Sequence, residues 1–108
     1  MTLPDAQPFA RPIQTTRTFE AAIDHIIEGI ERRRLRAGSP LPKESQLAEQ
    51  LGISRPTLRQ GLHVLQDAGF LRVKPGKGGG IFISSDLVPT AEISRGIALE
   101  EEAVIETL

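Results

Sequence analysis

Between Glu44 and Leu71 the chain reads ESQLAEQLGISRPTLRQGLHVLQDAGFL, two helical patterns joined by Leu51-Gly52-Ile53-Ser54. Leu47, Ala48 and Leu51 fall at i, i+1 and i+4, which gives the first pattern one apolar face. Gly52 suits the tight turn at a helix C-terminus, and Ile53 after it is placed to pack back into the core. Ser54 is a good N-cap for the second pattern, where Leu58, Leu62 and Leu65 form a stripe at i, i+4 and i+7. This is the signature of a helix-turn-helix. Arg55 and Arg59, four residues apart, share a different face near the start of the second helix. That end of a recognition helix enters the DNA major groove, and arginine is the usual reader of guanine O6 and N7.

The flanks extend the motif. Residues 1–17, with Pro4, Pro8 and Pro12 and no period, read as a flexible N-terminal arm. Phosphate contact by its Arg11 and Arg17 is the alternative. From Phe19 to about Arg34, the positions of Phe19, Ile23, Ile26, Ile27 and Ile30 make a helical stripe, with Thr18 as N-cap. Gly29 weakens that helix by roughly 1 kcal/mol relative to Ala. Arg32, Arg33, Arg34 and Arg36 cluster at its end, either favouring the helix C-terminus or meeting backbone phosphates. Ala37 to Pro42 is a turn and short extended piece, because each Pro disfavours helix before it.

Gly69 closes the second helix of the motif as a C′ glycine. Phe70, Leu71 and Val73 then begin a strand, with Arg72 and Lys74 on alternate positions. Pro75-Gly76-Lys77-Gly78-Gly79-Gly80 is a loop, and Ile81-Phe82-Ile83 the return strand. Three helices plus a two-stranded wing make a winged helix-turn-helix, a mainly α fold with a small β-hairpin (α+β), over residues 18–84. Residues 85–108 read as a linker through Ser94 and an acidic helix from Ile97, with Val104, Ile105 and Leu108 on one face. That pattern stops without a C-cap, so we expect the start of a truncated helical effector-binding domain. A short helix folded against the wing or a partner is the alternative.

A net charge of −1 looks wrong for a nucleic-acid binder, but it averages two unlike parts. Residues 1–83 hold 12 Lys/Arg against 8 Asp/Glu, whereas residues 84–108 hold Arg95 against six acidic residues. A basic unit followed by something else fits that asymmetry. At 108 residues there is no room for a large enzyme core. Without Cys, disulfides and thiolate metal sites are excluded. No apolar run approaches membrane-spanning length, and MTLPDAQPFARP lacks the marks of a signal peptide, so a cytoplasmic protein with no membrane partner is expected.

Other constellations favour ordinary roles. Gly76 to Gly80 is not followed by Lys-Ser/Thr and does not open a helix, so it reads as a hairpin tip and not a nucleotide cradle. As a wing tip it gains a role, since glycine lets the backbone approach DNA while Lys74 and Lys77 meet phosphates. His25 and His63, 38 positions apart, make no metal site, and neither metal nor cofactor is expected in this chain. Ser54, His63 and Asp67 are triad residue types, but capping explains Ser54 and nothing suggests an oxyanion hole.

Leu41-Pro42-x-Glu44-x-x-Leu47-Ala48 leading into Leu51-Gly52-Ile53-Ser54-Arg55-Pro56-Thr57-Leu58-Arg59, then Leu62-x-x-Leu65 and Gly69-Phe70-Leu71, resembles the N-terminal domain of GntR-type bacterial transcriptional regulators. Pro75-Gly76-Lys77-Gly78-Gly79 resembles that family's wing tip, and the acidic helix near Ile97 is similar to the entry into the effector domain of the FadR-like branch. The resemblance implies that Arg55 and Arg59 read guanines, that Ser54 and Thr57 hold phosphates or base edges, and that Gly76 lies in the minor groove. Glu44 is then structural.

Three departures stand out. Lys43 replaces the usual small N-cap, losing the cap and gaining a phosphate contact. Ser45 stands where a DNA-contacting arginine is common. Gln60-Gly61 stands where Glu-Ala is common, so Gln60 offers polar reach toward the operator and Gly61 costs about 0.5–1 kcal/mol of helix stability.

The expected function is therefore a sequence-specific DNA-binding transcriptional regulator, a repressor, binding an inverted-repeat operator as a homodimer under control of a small-molecule effector. The expected DNA-contacting set is Lys43, Ser54, Arg55, Thr57, Arg59, Gln60, Lys74, Gly76 and Lys77. A winged helix used as a protein-interaction module and a DNA-binding domain fused to a catalytic domain are the alternatives.

Overall fold

The computed structural model describes the backbone from Thr15 to Thr107 and the side chains from Phe19 to Glu102. Helices α1 (Thr15–Arg32), α2 (Glu44–Leu51) and α3 (Arg55–Asp67) precede an antiparallel hairpin, β1 (Leu71–Lys74) and β2 (Gly80–Ile83). A fourth helix, α4 (Thr90–Thr107), follows. The winged helix-turn-helix read from the sequence is present. Most of the expected arm, including Arg11, lies outside the described residues.

Helix α1 buries Phe19, Ala22, Ile23, Ile26 and Ile30 at three- and four-residue intervals. It starts at Thr15, three residues before the expected cap at Thr18. It ends two residues earlier than expected, because Arg34 takes a left-handed conformation (φ 54°). The Leu35 N–H then reaches back to the Ile30 carbonyl at 3.0 Å, the wrapped-back ending usually built on glycine.

Helix α2 ends as expected. Gly52 is left-handed (φ 71°), and the Ile53 N–H bonds the Ala48 carbonyl at 3.1 Å, tucking Ile53 against the core. Helix α3 begins at Ser54, whose hydroxyl accepts the Thr57 N–H. At its other end Gly69 (φ 84°) turns the chain and the Phe70 N–H bonds the Leu65 carbonyl. Phe19, Ile23, Leu58, Val64, Leu65, Phe70 and Leu71 are almost wholly excluded from solvent. Each such side chain contributes about 1.5–3 kcal/mol of burial free energy, and most of them come from α1 and α3.

The hairpin pairs Leu71 with Ile83, Arg72 with Phe82, Val73 with Ile81 and Lys74 with Gly80. Leu71, Ile81 and Ile83 face the core, and the period of two leaves Arg72 and Lys74 exposed. Residues 38–41, read from sequence only as a turn and extended piece, run along β2 as a third rung. The Ser39 carbonyl accepts the Ile83 N–H at 2.9 Å, and the Leu41 N–H bonds the Ile81 carbonyl at 2.8 Å. The prolines there remove donors only where no ladder bond is needed.

The segment read as linker through Ser94 is already helical from Thr90, and the helix packs on α3 and α1. Pro89 does not break it, because the Pro89 carbonyl accepts the Ile93 N–H at 3.0 Å and proline suits a helix start. Ile93 is buried, and Ile97 and Val88 pack beside it. The apolar positions expected at Val104, Ile105 and Leu108 lie outside the described side chains.

Candidate nucleic-acid interface

The helix-turn-helix brings the start of α2 against the start of α3. Glu44, the first residue of α2, meets both arginines of α3 there. Its Oε1 accepts Arg55 Nε at 3.2 Å and Arg55 Nη2 at 2.9 Å, while its Oε2 accepts Arg59 Nε at 2.9 Å. A further bond runs from Arg59 Nη2 to Oε1 at 3.2 Å. One carboxylate thus holds two guanidinium groups side by side on the outer face of the recognition helix. The arginine side chains remain 56% and 59% exposed, so they stay available to a ligand, while Glu44 is 27% exposed.

The electrostatics follow from this geometry. The hydrogen bond from Arg59 holds the Glu44 carboxyl below the usual glutamate range, working against partial desolvation, and the bond from Arg55 adds to it. Glu44 in turn raises the Arg59 pKa further. Exposed pairs of this kind contribute little to folding stability. Their main consequence is orientation: two long, flexible side chains are confined to one arrangement.

The other expected contact residues fall into three groups. Ser54 and Thr57 sit at the same helix start, with the Ser54 hydroxyl donating to Thr57 Oγ1 at 2.9 Å while it accepts the Thr57 N–H at 3.3 Å. Lys43, preceding Glu44, makes no side-chain cap bond and is exposed, as is Ser45. Lys74, Gly76 and Lys77 are exposed on the wing, where Gly76 is left-handed (φ 87°). Gln60 is not brought to the arginine face. It lies on another side of α3, and its amide donates to Glu100 Oε1 of α4 at 3.2 Å.

Three features escaped the sequence reading. The double contact of Glu44 joins positions 11 and 15 residues apart, separations that no helical period pairs. An acidic residue opening one helix and two arginines opening the next was the available signal. Gly79 is the wing-tip glycine under the hardest steric constraint, since a Cβ there would run into the Lys74 carbonyl oxygen. Arg72 lies over the Phe82 ring at 5.3 Å, opposite it in the hairpin.

Elsewhere His63 lies 3.2 Å from Asp67 on exposed helix surface, while Ser54 serves as a cap nine residues earlier on the same helix. Among the described residues no group of three or more His, Cys, Asp or Glu side chains is arranged to hold a metal ion, and no helix is long and apolar enough to cross a membrane.

Comparison with known proteins agrees with this geometry. Residues 18–81 match the model of "Bacterial regulatory proteins, gntR family". An HTH-type transcriptional regulator of Mycobacterium tuberculosis is 41% identical over 75 residues, 69% of this chain and 27% of that protein. The Glc operon transcriptional activator of Escherichia coli K12 is 44% identical over 52 residues, 48% of this chain and 19% of that protein. The chain therefore spans only about a quarter of the curated relatives it matches. Among solved structures, that of AraR(DBD) in complex with operator ORR3 superposes with a TM-score of 0.55 at 25% identity, covering 78% of this chain and 93% of that one. The helix-turn-helix, its wing and these relationships lead to one conclusion: the chain belongs to the gntR family of bacterial regulatory proteins, as the winged helix-turn-helix of a transcription regulator.

Proposed function

We propose that this chain is the DNA-reading unit of a cytoplasmic, effector-controlled repressor that binds an inverted repeat as a homodimer. The observation that carries the reading is the pair Arg55 and Arg59, presented outward together at the N-terminal end of α3. Arginine forks match the O6 and N7 acceptors of guanine, and the start of a recognition helix is the part that enters the major groove. Ser54, Thr57 and Lys43 flank them as phosphate contacts, and Lys74, Gly76 and Lys77 supply the wing's contact with backbone or minor groove. The AraR domain solved with its operator shares this fold, which supports double-stranded DNA as the partner.

Dimerisation and the small-molecule effector belong, on this reading, to a helical domain continuing from α4. The greater length of the relatives is consistent with such a domain. Repression is the simplest outcome of occupying an operator, although one relative is an activator.

The test is selection of bound duplexes from a random pool, followed by salt titration of the winner. A palindromic consensus is expected, with affinity falling by about tenfold or more between ~50 and ~200 mM salt. Recovery of no consensus, or salt-insensitive binding, would overturn the assignment.

A further inference from the structure

We infer that Glu44 is the specificity-determining positioning residue of the recognition helix: by gripping Arg55 and Arg59 together it fixes where their free edges point and suppresses their attraction to any phosphate. The inference rests on the DNA-reading function proposed above and adds the device that makes the reading selective.

The bond pattern is the first support. Glu44 engages Nε and Nη2 of each arginine. A guanidinium has five N–H groups, and a grip on the Nε side leaves the two Nη1 hydrogens and one Nη2 hydrogen unused. One Nη1 hydrogen and the free Nη2 hydrogen lie along the terminal edge, which still offers two parallel donors to guanine O6 and N7. The carboxylate therefore need not let go for the arginines to read bases. It also offsets the repulsion between two like charges held on neighbouring turns, which would otherwise drive the side chains apart.

Charge is the second support. One carboxylate among two guanidinium groups leaves this part of the interface with a net charge near +1 instead of +2. Non-specific binding is driven almost wholly by phosphate neutralisation, so this acid works against it. Correct base contacts are made through the free edges and lose less. The anchoring of Glu44 is the third support. It opens α2, where its charge is favourable near the helix N-terminus, and it is the least exposed member of the triplet at 27%. The grip is thus set by the packing of α2 on α3.

The experiment compares the 108-residue chain with its Glu44→Gln and Glu44→Asp variants. Each is titrated against the selected operator and a scrambled duplex of equal length, across a series of salt concentrations, with circular dichroism melts to verify folding. Glu44→Gln removes the charge and one acceptor oxygen. It should bind the scrambled duplex more tightly, with a salt slope steeper by about one, and lose about tenfold of its operator preference. Glu44→Asp keeps the charge but withdraws the oxygens by one methylene, so preference should fall without a gain on the scrambled duplex. A folded Gln or Asp variant that keeps the operator-to-scrambled ratio within about twofold of the parent would overturn the inference. A parent chain that prefers no duplex would overturn the DNA reading itself, which is a different result.

Discussion

An arginine fork on a guanine is worth about 1–3 kcal/mol of discrimination, whereas a lysine on a phosphate contributes to every sequence alike. Arg59→Ala is therefore expected to weaken operator binding by about 1–3 kcal/mol and to relax selectivity at one base pair. Lys77→Ala should weaken operator and scrambled duplexes equally and lower the salt slope by about one. Binding titrations on single-base operator variants separate the two. Acid adds a second prediction. The folded-state pKa of Glu44 is depressed, chiefly by the Arg59 hydrogen bond. Its grip is accordingly complete above the ordinary glutamate range and is lost only as pH falls through the depressed value. Operator preference should hold from neutral pH down to about pH 5 and collapse below the usual glutamate titration. A loss of preference already complete at pH 6 would show that protonation of Glu44 is not what sets it.

Two glycines on the helices look alike in sequence and are opposite in structure. At Gly61 of α3 an added Cβ would sit 3.4 Å from Ile23 Cγ1 and from the Phe19 carbonyl oxygen, ordinary contact across the α1 crossing. Gly61→Ala should therefore recover about 0.5–1 kcal/mol of helix propensity. At Gly96 of α4 a Cβ would sit 2.9 Å from Cγ1 of Val64, a β-branched side chain buried in α3 whose rotamer is restricted in a helix. Gly96→Ala should lift α4 from the recognition helix, and overpacking of about 1–3 kcal/mol should exceed the propensity gain. Urea denaturation of the two variants checks the opposite signs; a stabilised Gly96→Ala would mean that α4 does not dock as tightly as described.

Charge is divided over the whole molecule between a basic winged helix and an acidic α4 fastened to the back of its recognition helix by Ile93, Ile97 and the Gln60–Glu100 bond. Ending the chain at residue 89 would change the net charge from −1 to +3. Long-range attraction to DNA should then rise at low salt. The truncated chain should also melt earlier, because Val64 would lose the cover of α4. Binding to a scrambled duplex and a thermal melt measure the two effects, and they should move in opposite directions. Leu87 and Leu99 remain 78% and 60% exposed, apolar surface on the α4 side of the molecule.

The sequence by itself determined the helix-turn-helix, its turns and the wing, while it misplaced the start of α1 and read the first turn of α4 as linker. Apolar spacing in α1 and α3, Gly52 and Gly69 as turn glycines, Ser54 as cap and the alternation around Arg72 and Lys74 are local properties, set by helical and strand periods within a few residues. It also placed Arg55 and Arg59 on one outward face, because a spacing of four is nearly a full helical turn. Only the tertiary structure decided what those residues meet. Glu44 reaches both arginines because α2 packs against α3, and Gln60 turns to Glu100 because α4 docks on α3. The third rung at residues 38–41 arises the same way, from backbone groups that find β2 about 40 residues on. Such long-range pairings carry no period, since they depend on how whole elements cross and bury their apolar faces.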